Sequence, residues 1–171
     1  MKSNRNILRI CRVGLFSALL ALGAWIAIPL SVPITMQTFV LFFMAGTLPL
    51  SESVLSVAIY LSIGLAGLPI FAGFSSGIGT LMGPTGGFLL GFFPAVLLFG
   101  SSSRRIRQRY VYVACAIVSL LFLYACGCVW YACLYGKNGV ITACVLPFLP
   151  ADAIKLAVAL PLARRMKRHV R

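Results

Sequence analysis

The sequence predicts an all-α membrane protein of about six transmembrane helices, built as a single transmembrane domain over residues 1–171. Three observations predict it. The chain is 61% hydrophobic and 10% charged, whereas a soluble domain is about half apolar and about a quarter charged. Between Val13 and Ser103 the only charged residue is Glu52, and a soluble protein with such a stretch would expose apolar patches and aggregate. Thirteen of the fifteen Lys and Arg residues fall in three clusters beside apolar runs. These are Lys2, Arg5, Arg9 and Arg12; Arg104, Arg105, Arg107 and Arg109; and Arg164, Arg165, Lys167, Arg168 and Arg171. That distribution sets membrane orientation and meets anionic lipid. It argues against nucleic acid, despite a net charge of +13.

A span needs roughly 20 apolar residues. The first runs over 13–30; it is too long for a signal-peptide core and is followed by more spans, so it reads as a retained helix. A polar break at 31–35 leads to the second span, 36–50. Ser51–Glu52–Ser53 reads as a turn and helix start before the third, 54–68. Residues 69–87 are a Gly/Pro/Ser-rich loop. The fourth span covers 88–100 and the fifth 110–135. The turn Gly136–Lys137–Asn138–Gly139 precedes the sixth, 140–163. Six spans place the three basic clusters on one side, the cytoplasm, with both termini there; five would split them. Localisation in the cell (inner, cytoplasmic) membrane follows. No internal repeat of the kind found in many secondary transporters is visible.

The six cysteines form no CxxC pair, and most lie in apolar runs, where free cysteine packs as a small hydrophobe; no metal site is expected. Asp152 and Lys155 lie within the last span, three residues apart and so on one helix face. Each would cost roughly 3 kcal/mol at a helix centre, so they face the interior as a pair. This is either a substrate or ion site or a structural salt bridge. Pro147 and Pro150 imply either a kink beside a cavity or a helix that starts late. The uncharged Gly-rich loop lacks the Lys-Ser/Thr ending of a phosphate-binding loop; with Phe71, Phe74 and Leu81 to bury, it reads as a lid or cavity wall. In the first helix, Gly14, Ser17, Ala18 and Ala21 form one small-residue stripe that lets another helix approach closely, internal or from a separate subunit. An enzyme finds little support: His169, the lone histidine, lies in the basic tail, and there are two acids.

Four stretches resemble the BioY family in its order. Pro33–Ile34–Thr35–Met36–Gln37–Thr38 resembles its PxTxQT stretch, and Gly67–Leu68–Pro69–Ile70–Phe71–Ala72–Gly73 its GxPxFxG. The stretch from Gly83–Pro84–Thr85–Gly86–Gly87–Phe88 to Phe92 resembles its GPTGGYLxGF, and Pro147 to Lys155 its PxxPxDxxK ending. The resemblance implies the six-helix fold of the substrate-specific S component of an energy-coupling factor importer. It implies biotin as the transported ligand, bound in an outward-facing pocket formed by helices four to six and capped by the loops after helices one and three. It implies three partner subunits, a transmembrane coupling protein and two ATPases, so that ATP is used only by the partners and the chain itself carries no cofactor. On this resemblance the ligand site comprises Asp152, Lys155, Gln37, Phe71, Ser75, Ser76, Thr85, Gly86, Phe88 and Phe92. The coupling protein would meet Gly14, Ser17, Ala18 and Ala21. Two departures stand out: Phe88 replaces the usual Tyr, and the central loop lacks the Asn and Arg that many members offer. A stand-alone secondary transporter, with Asp152 as proton site, is the alternative.

Overall fold

A computed structural model of the protein describes residues 2–104, 106 and 108–167. Arg105, Arg107, Arg168, His169 and Arg171 lie outside the described residues, as do the side chains of Lys2 and Arg5. Helix α1 spans Lys2–Trp25 and is followed by a two-stranded hairpin, β1 (Ala27–Ile28) and β2 (Ile34–Thr35). Then come α2 (Gln37–Thr47), α3 (Leu50–Leu65), a 3-10 turn (Ala72–Phe74) and the short α4 (Gly77–Met82). The second half holds α5 (Gly86–Ser103), α6 (Arg109–Tyr135), α7 (Val140–Cys144) and α8 (Phe148–Met166).

Among the described residues, four stretches are long and apolar enough to cross a membrane: Asn6–Trp25, Gly86–Ser103, Arg109–Tyr135 and Val140–Met166. Helices α2 and α3 are shorter; at 1.5 Å per residue, the 11 residues of α2 reach only about 16 Å. Several expected boundaries move. The first helix starts in the basic cluster and ends at Trp25, because residues 27–35 fold back as the antiparallel hairpin, with Ala27 opposite Thr35. The Gly-rich loop contains α4. The sixth expected span divides at Leu146–Pro147 into α7 and α8. Pro147 caps α8 and Pro150 lies in its first turn, where amide donors have no helical partner to lose. The helix that starts late is therefore the correct alternative.

Contacts between helices fix their directions. Arg12 meets Glu52 at 3.8 Å, Ser17 donates to the Ser56 carbonyl, and Trp25 Nε1 donates to the Pro69 carbonyl, so α1 and α3 run parallel. Thr38 meets Asp152, and a Cβ on Gly46 would touch Ala163, so α2 and α8 run parallel, opposite to α1. Helix α5 descends with α2, since Ser103 donates to the Ala45 carbonyl, and α6 returns to place Trp130 beside Gly83. Helices α1, α2, α3, α5, α6 and α8 thus alternate in direction. One end carries Arg12, Glu52, Ser103, Gln108 and Arg164; the other carries the hairpin, α4 and the 66–76 segment. The core between them is aromatic and aliphatic, with Phe42, Tyr60, Phe99, Tyr112 and Leu123 fully buried.

Candidate functional site

Beneath the hairpin end lies a pocket walled by four helices. Helix α2 brings Gln37 and Thr38, α5 brings Phe88, Leu89 and Phe92, α6 brings Leu123 and Tyr124, and α8 brings Phe148, Asp152 and Lys155. Val32, Pro33, Thr35, Phe71 and Ala72 close it from the hairpin and the 66–76 segment. Phe71 is fully buried and stands edge-on to Tyr60, 5.5 Å between centroids.

The GPTGG segment positions the α5 wall. A Cβ on Gly87 would strike the Trp130 side chain and come within 2.6 Å of the Cys126 carbonyl, and one on Gly86 would strike the Leu81 carbonyl. Trp130 Nε1 in turn donates to the Gly83 carbonyl at 3.1 Å. These contacts seat the start of α5 against α6. One edge of the Phe88 ring lies against Gly127, with no room for a Cβ. Its face stacks on Phe148, 5.6 Å between centroids and 16° from parallel.

The polar floor is a single network. Lys155 Nζ donates to Asp152 Oδ1 at 2.8 Å, to the Thr35 carbonyl at 2.7 Å and to Thr38 Oγ1 at 3.2 Å. Asp152 also accepts from Thr38 Oγ1 at 2.8 Å and, through Oδ2, from the Tyr124 hydroxyl at 2.7 Å. Asp152 is 1% and Lys155 9% exposed. Beside them Gln37 Nε2 donates to the Tyr60 hydroxyl at 2.7 Å, which donates to the Ile70 carbonyl. Buried charges persist when paired and hydrogen-bonded. Here the pair is satisfied and still lines the cavity: Asp152 can accept a further bond, while Lys155, whose three donors are used, can serve a polar ring or a carboxylate only by releasing Thr35 or Thr38.

Of the residues expected at the site, Asp152, Lys155, Gln37, Phe71, Thr85, Phe88 and Phe92 line this pocket. Ser75, Ser76 and Gly86 do not: Ser75 Oγ donates to the Ala72 carbonyl, Ser76 begins α4, and Gly86 packs on Leu81 and Trp130. Sequence reasoning missed Thr35, Thr38, Tyr124 and Phe148. The helix-one stripe divides. Ser17 and Ala21 are buried within the protein, Ser17 through its bond to the Ser56 carbonyl at 3.0 Å. Gly14 and Ala18 face outward.

An alternating bundle of apolar helices with one mostly apolar, loop-covered pocket and a buried ion pair at its floor defines a multi-pass membrane protein that binds a small molecule. The chain belongs to the BioY family, whose sequence model matches residues 1–171. It is 37% identical over 162 residues to the biotin transporter BioY of Thermotoga maritima, covering 94% of this chain and 96% of that protein. It is 36% identical to the probable biotin transporter BioY of Pyrococcus horikoshii, covering 91% and 93%. Its fold matches a solved structure described as the S-component for biotin from an ECF-type ABC transporter. The TM-score is 0.89 at 21% identity, over 98% of this chain and 95% of the other. The chain is accordingly a transport protein and not an enzyme.

Proposed function

We propose that the chain is the high-affinity biotin-binding, substrate-specificity subunit of an ATP-driven importer, working with a transmembrane coupling protein and two ATPase subunits. The carrying observation is the Asp152–Lys155 pair at the floor of an aromatic pocket. Biotin has a ureido ring with two N–H donors and a carbonyl, an apolar chain and a carboxylate. Asp152 accepts from a ureido N–H; Lys155 donates to the ureido carbonyl or to the carboxylate; Phe71, Phe88 and Phe92 cover the apolar parts. Charge-assisted bonds in a dry site are the stronger kind. With about sixteen heavy atoms at roughly 0.7 kcal/mol each, biotin binding reaches about nanomolar.

The lining leaves about 40 Å³ for the centres of water molecules. A water needs roughly 10–15 Å³ on that measure, so biotin enters only when the hairpin and the 66–76 segment part from the helices. Lys155 ties the hairpin to α8 through the Thr35 carbonyl, so the ligand would compete for the group that holds the cover. The reading includes six crossings, with both termini and the arginine-rich end in the cytoplasm of a cell-membrane protein. The alternating helices and the one-sided basic residues support this.

Isothermal titration of detergent-purified protein with biotin, beside Asp152→Asn, tests the proposal. Tight binding that the variant weakens at least about tenfold, with its thermal midpoint retained, is expected. A well-folded wild-type protein that does not bind biotin refutes it.

A further inference from the structure

On the outer face of the bundle, away from the ligand pocket, α6 and α8 diverge. Helix α6 packs on α5 and α8 on α2, and the α6 and α8 backbones stand apart, bridged by side chains at Tyr124–Asp152 and Tyr112–Arg164. The groove between them has a volume of about 780 Å³, against about 40 Å³ for the ligand pocket. Its walls are apolar, including Val113, Ile117, Leu120, Leu149 and the small, outward-facing Ala153 and Ala157. Its end is not: Arg109, Arg164 and Arg165 line it there. The Arg164 guanidinium lies over the Tyr112 ring, 4.3 Å from its centroid, and Nη2 donates to the Gln108 carbonyl at 3.0 Å. The fork is therefore held in place with further donors remaining.

We propose that this groove is a binding site for one anionic phospholipid of the adjoining leaflet, its phosphate on Arg109 and Arg164 and one acyl chain along α6 and α8. Among the described residues, neither acidic side chain pairs with Arg109 or Arg164, which favours an anionic partner there. The chain has two acidic side chains; Glu52 meets Arg12 and Asp152 meets Lys155. Guanidinium forks suit phosphate. Length agrees too: Arg109 to Leu120 spans about 17 Å of helix, close to the roughly 15 Å of hydrocarbon in one leaflet. The site is independent of what the central pocket binds.

The test is native mass spectrometry of the full chain titrated with dioleoyl phosphatidylglycerol and, separately, dioleoyl phosphatidylcholine. Three variants accompany it. Arg109→Gln/Arg164→Gln removes the headgroup contacts. Ala157→Trp fills the groove and leaves the arginines. Arg9→Gln/Arg104→Gln removes equal charge elsewhere at that end. The expected result is tighter binding of phosphatidylglycerol, lost by about tenfold in the first variant and by a similar factor in the second, with the third within about twofold of wild type. Equal loss in the first and third reduces the effect to general surface charge and overturns the site. Equal affinity for both lipids overturns the phosphate assignment. Unchanged lipid binding in the first two variants, with lost association with the coupling module, assigns the groove to a protein helix instead.

Discussion

Gly127→Ala separates the stability of the bundle from the shape of its pocket. Gly127 lies inside α6, where alanine is favoured over glycine by about 1 kcal/mol. Its Cβ, however, would overlap three carbons along one edge of the Phe88 ring. Carbon atoms pack at about 3.5–4.0 Å, so the ring must retreat by more than about 1 Å. Phe148 stacks against its face, and the free direction is the cavity. Overpacking costs roughly 1–3 kcal/mol, so the helix gain offsets part of it and the thermal midpoint falls only slightly. Ligand binding has no such offset, because the room is already about 40 Å³. We expect biotin affinity to fall by at least about tenfold, or about 1.4 kcal/mol, by isothermal titration, while differential scanning fluorimetry shows a small shift. Unchanged affinity would refute the idea that Phe88, held by Gly127, sets the pocket wall.

Tyr124→Phe keeps the ring beside Phe148 and removes one charge-assisted bond to Asp152. The bond exists before ligand arrives, so its contribution of about 1.5–3 kcal/mol should appear mainly as a lower thermal midpoint, with biotin affinity falling by less than about tenfold; an unshifted midpoint would show that the carboxylate is held without it. Gly87→Ala drives a Cβ onto Trp130 and to 2.6 Å from the Cys126 carbonyl. Backbone cannot yield, so the thermal midpoint should drop by the equivalent of about 1–3 kcal/mol, and an undiminished midpoint would contradict the tight α5–α6 seat. Glu52→Gln removes a pair that is 3.8 Å long with Arg12 30% exposed. Glu52 itself is buried, so the cost should lie between less than about 1 kcal/mol for an exposed pair and about 3–5 kcal/mol for a buried one; biotin binding should stay intact, and a large loss of binding would mean that the two ends are coupled.

What was legible in the sequence is what the bilayer enforces locally. Long uncharged runs and one-sided basic clusters declare themselves, as do two opposite charges three residues apart in an apolar run. The expected first span is shorter at its start than helix α1, because a helix continuing into a basic segment looks, by composition, like its flank. Helix α4 was hidden because glycine and serine between breakers read as loop. Tyr124 and Thr38 were missed for a different reason. A tyrosine in an apolar run and a threonine beside a hairpin are ordinary until tertiary structure brings them, across 28 and 114 residues, to the same carboxylate. The small-residue stripe shows the limit of periodicity alone. Spacing puts Ser17 beside Gly14, but the structure turns Ser17 inward to α3.

The chain has two tryptophans, and they stand on opposite sides of the cavity's covering. Trp25, at the end of α1, stacks on Phe74 at 5.1 Å and donates to the Pro69 carbonyl, so its surroundings change with any movement of the 66–76 segment. Trp130 is bonded to Gly83 and wedged against Gly87, so its indole stays with the helical wall. The protein therefore carries its own pair of fluorophores. Trp25→Phe leaves an emitter on the helical wall and Trp130→Phe one against the 66–76 segment, so stopped-flow emission can follow the proposed opening of the cover separately from the filling of the site, without a label.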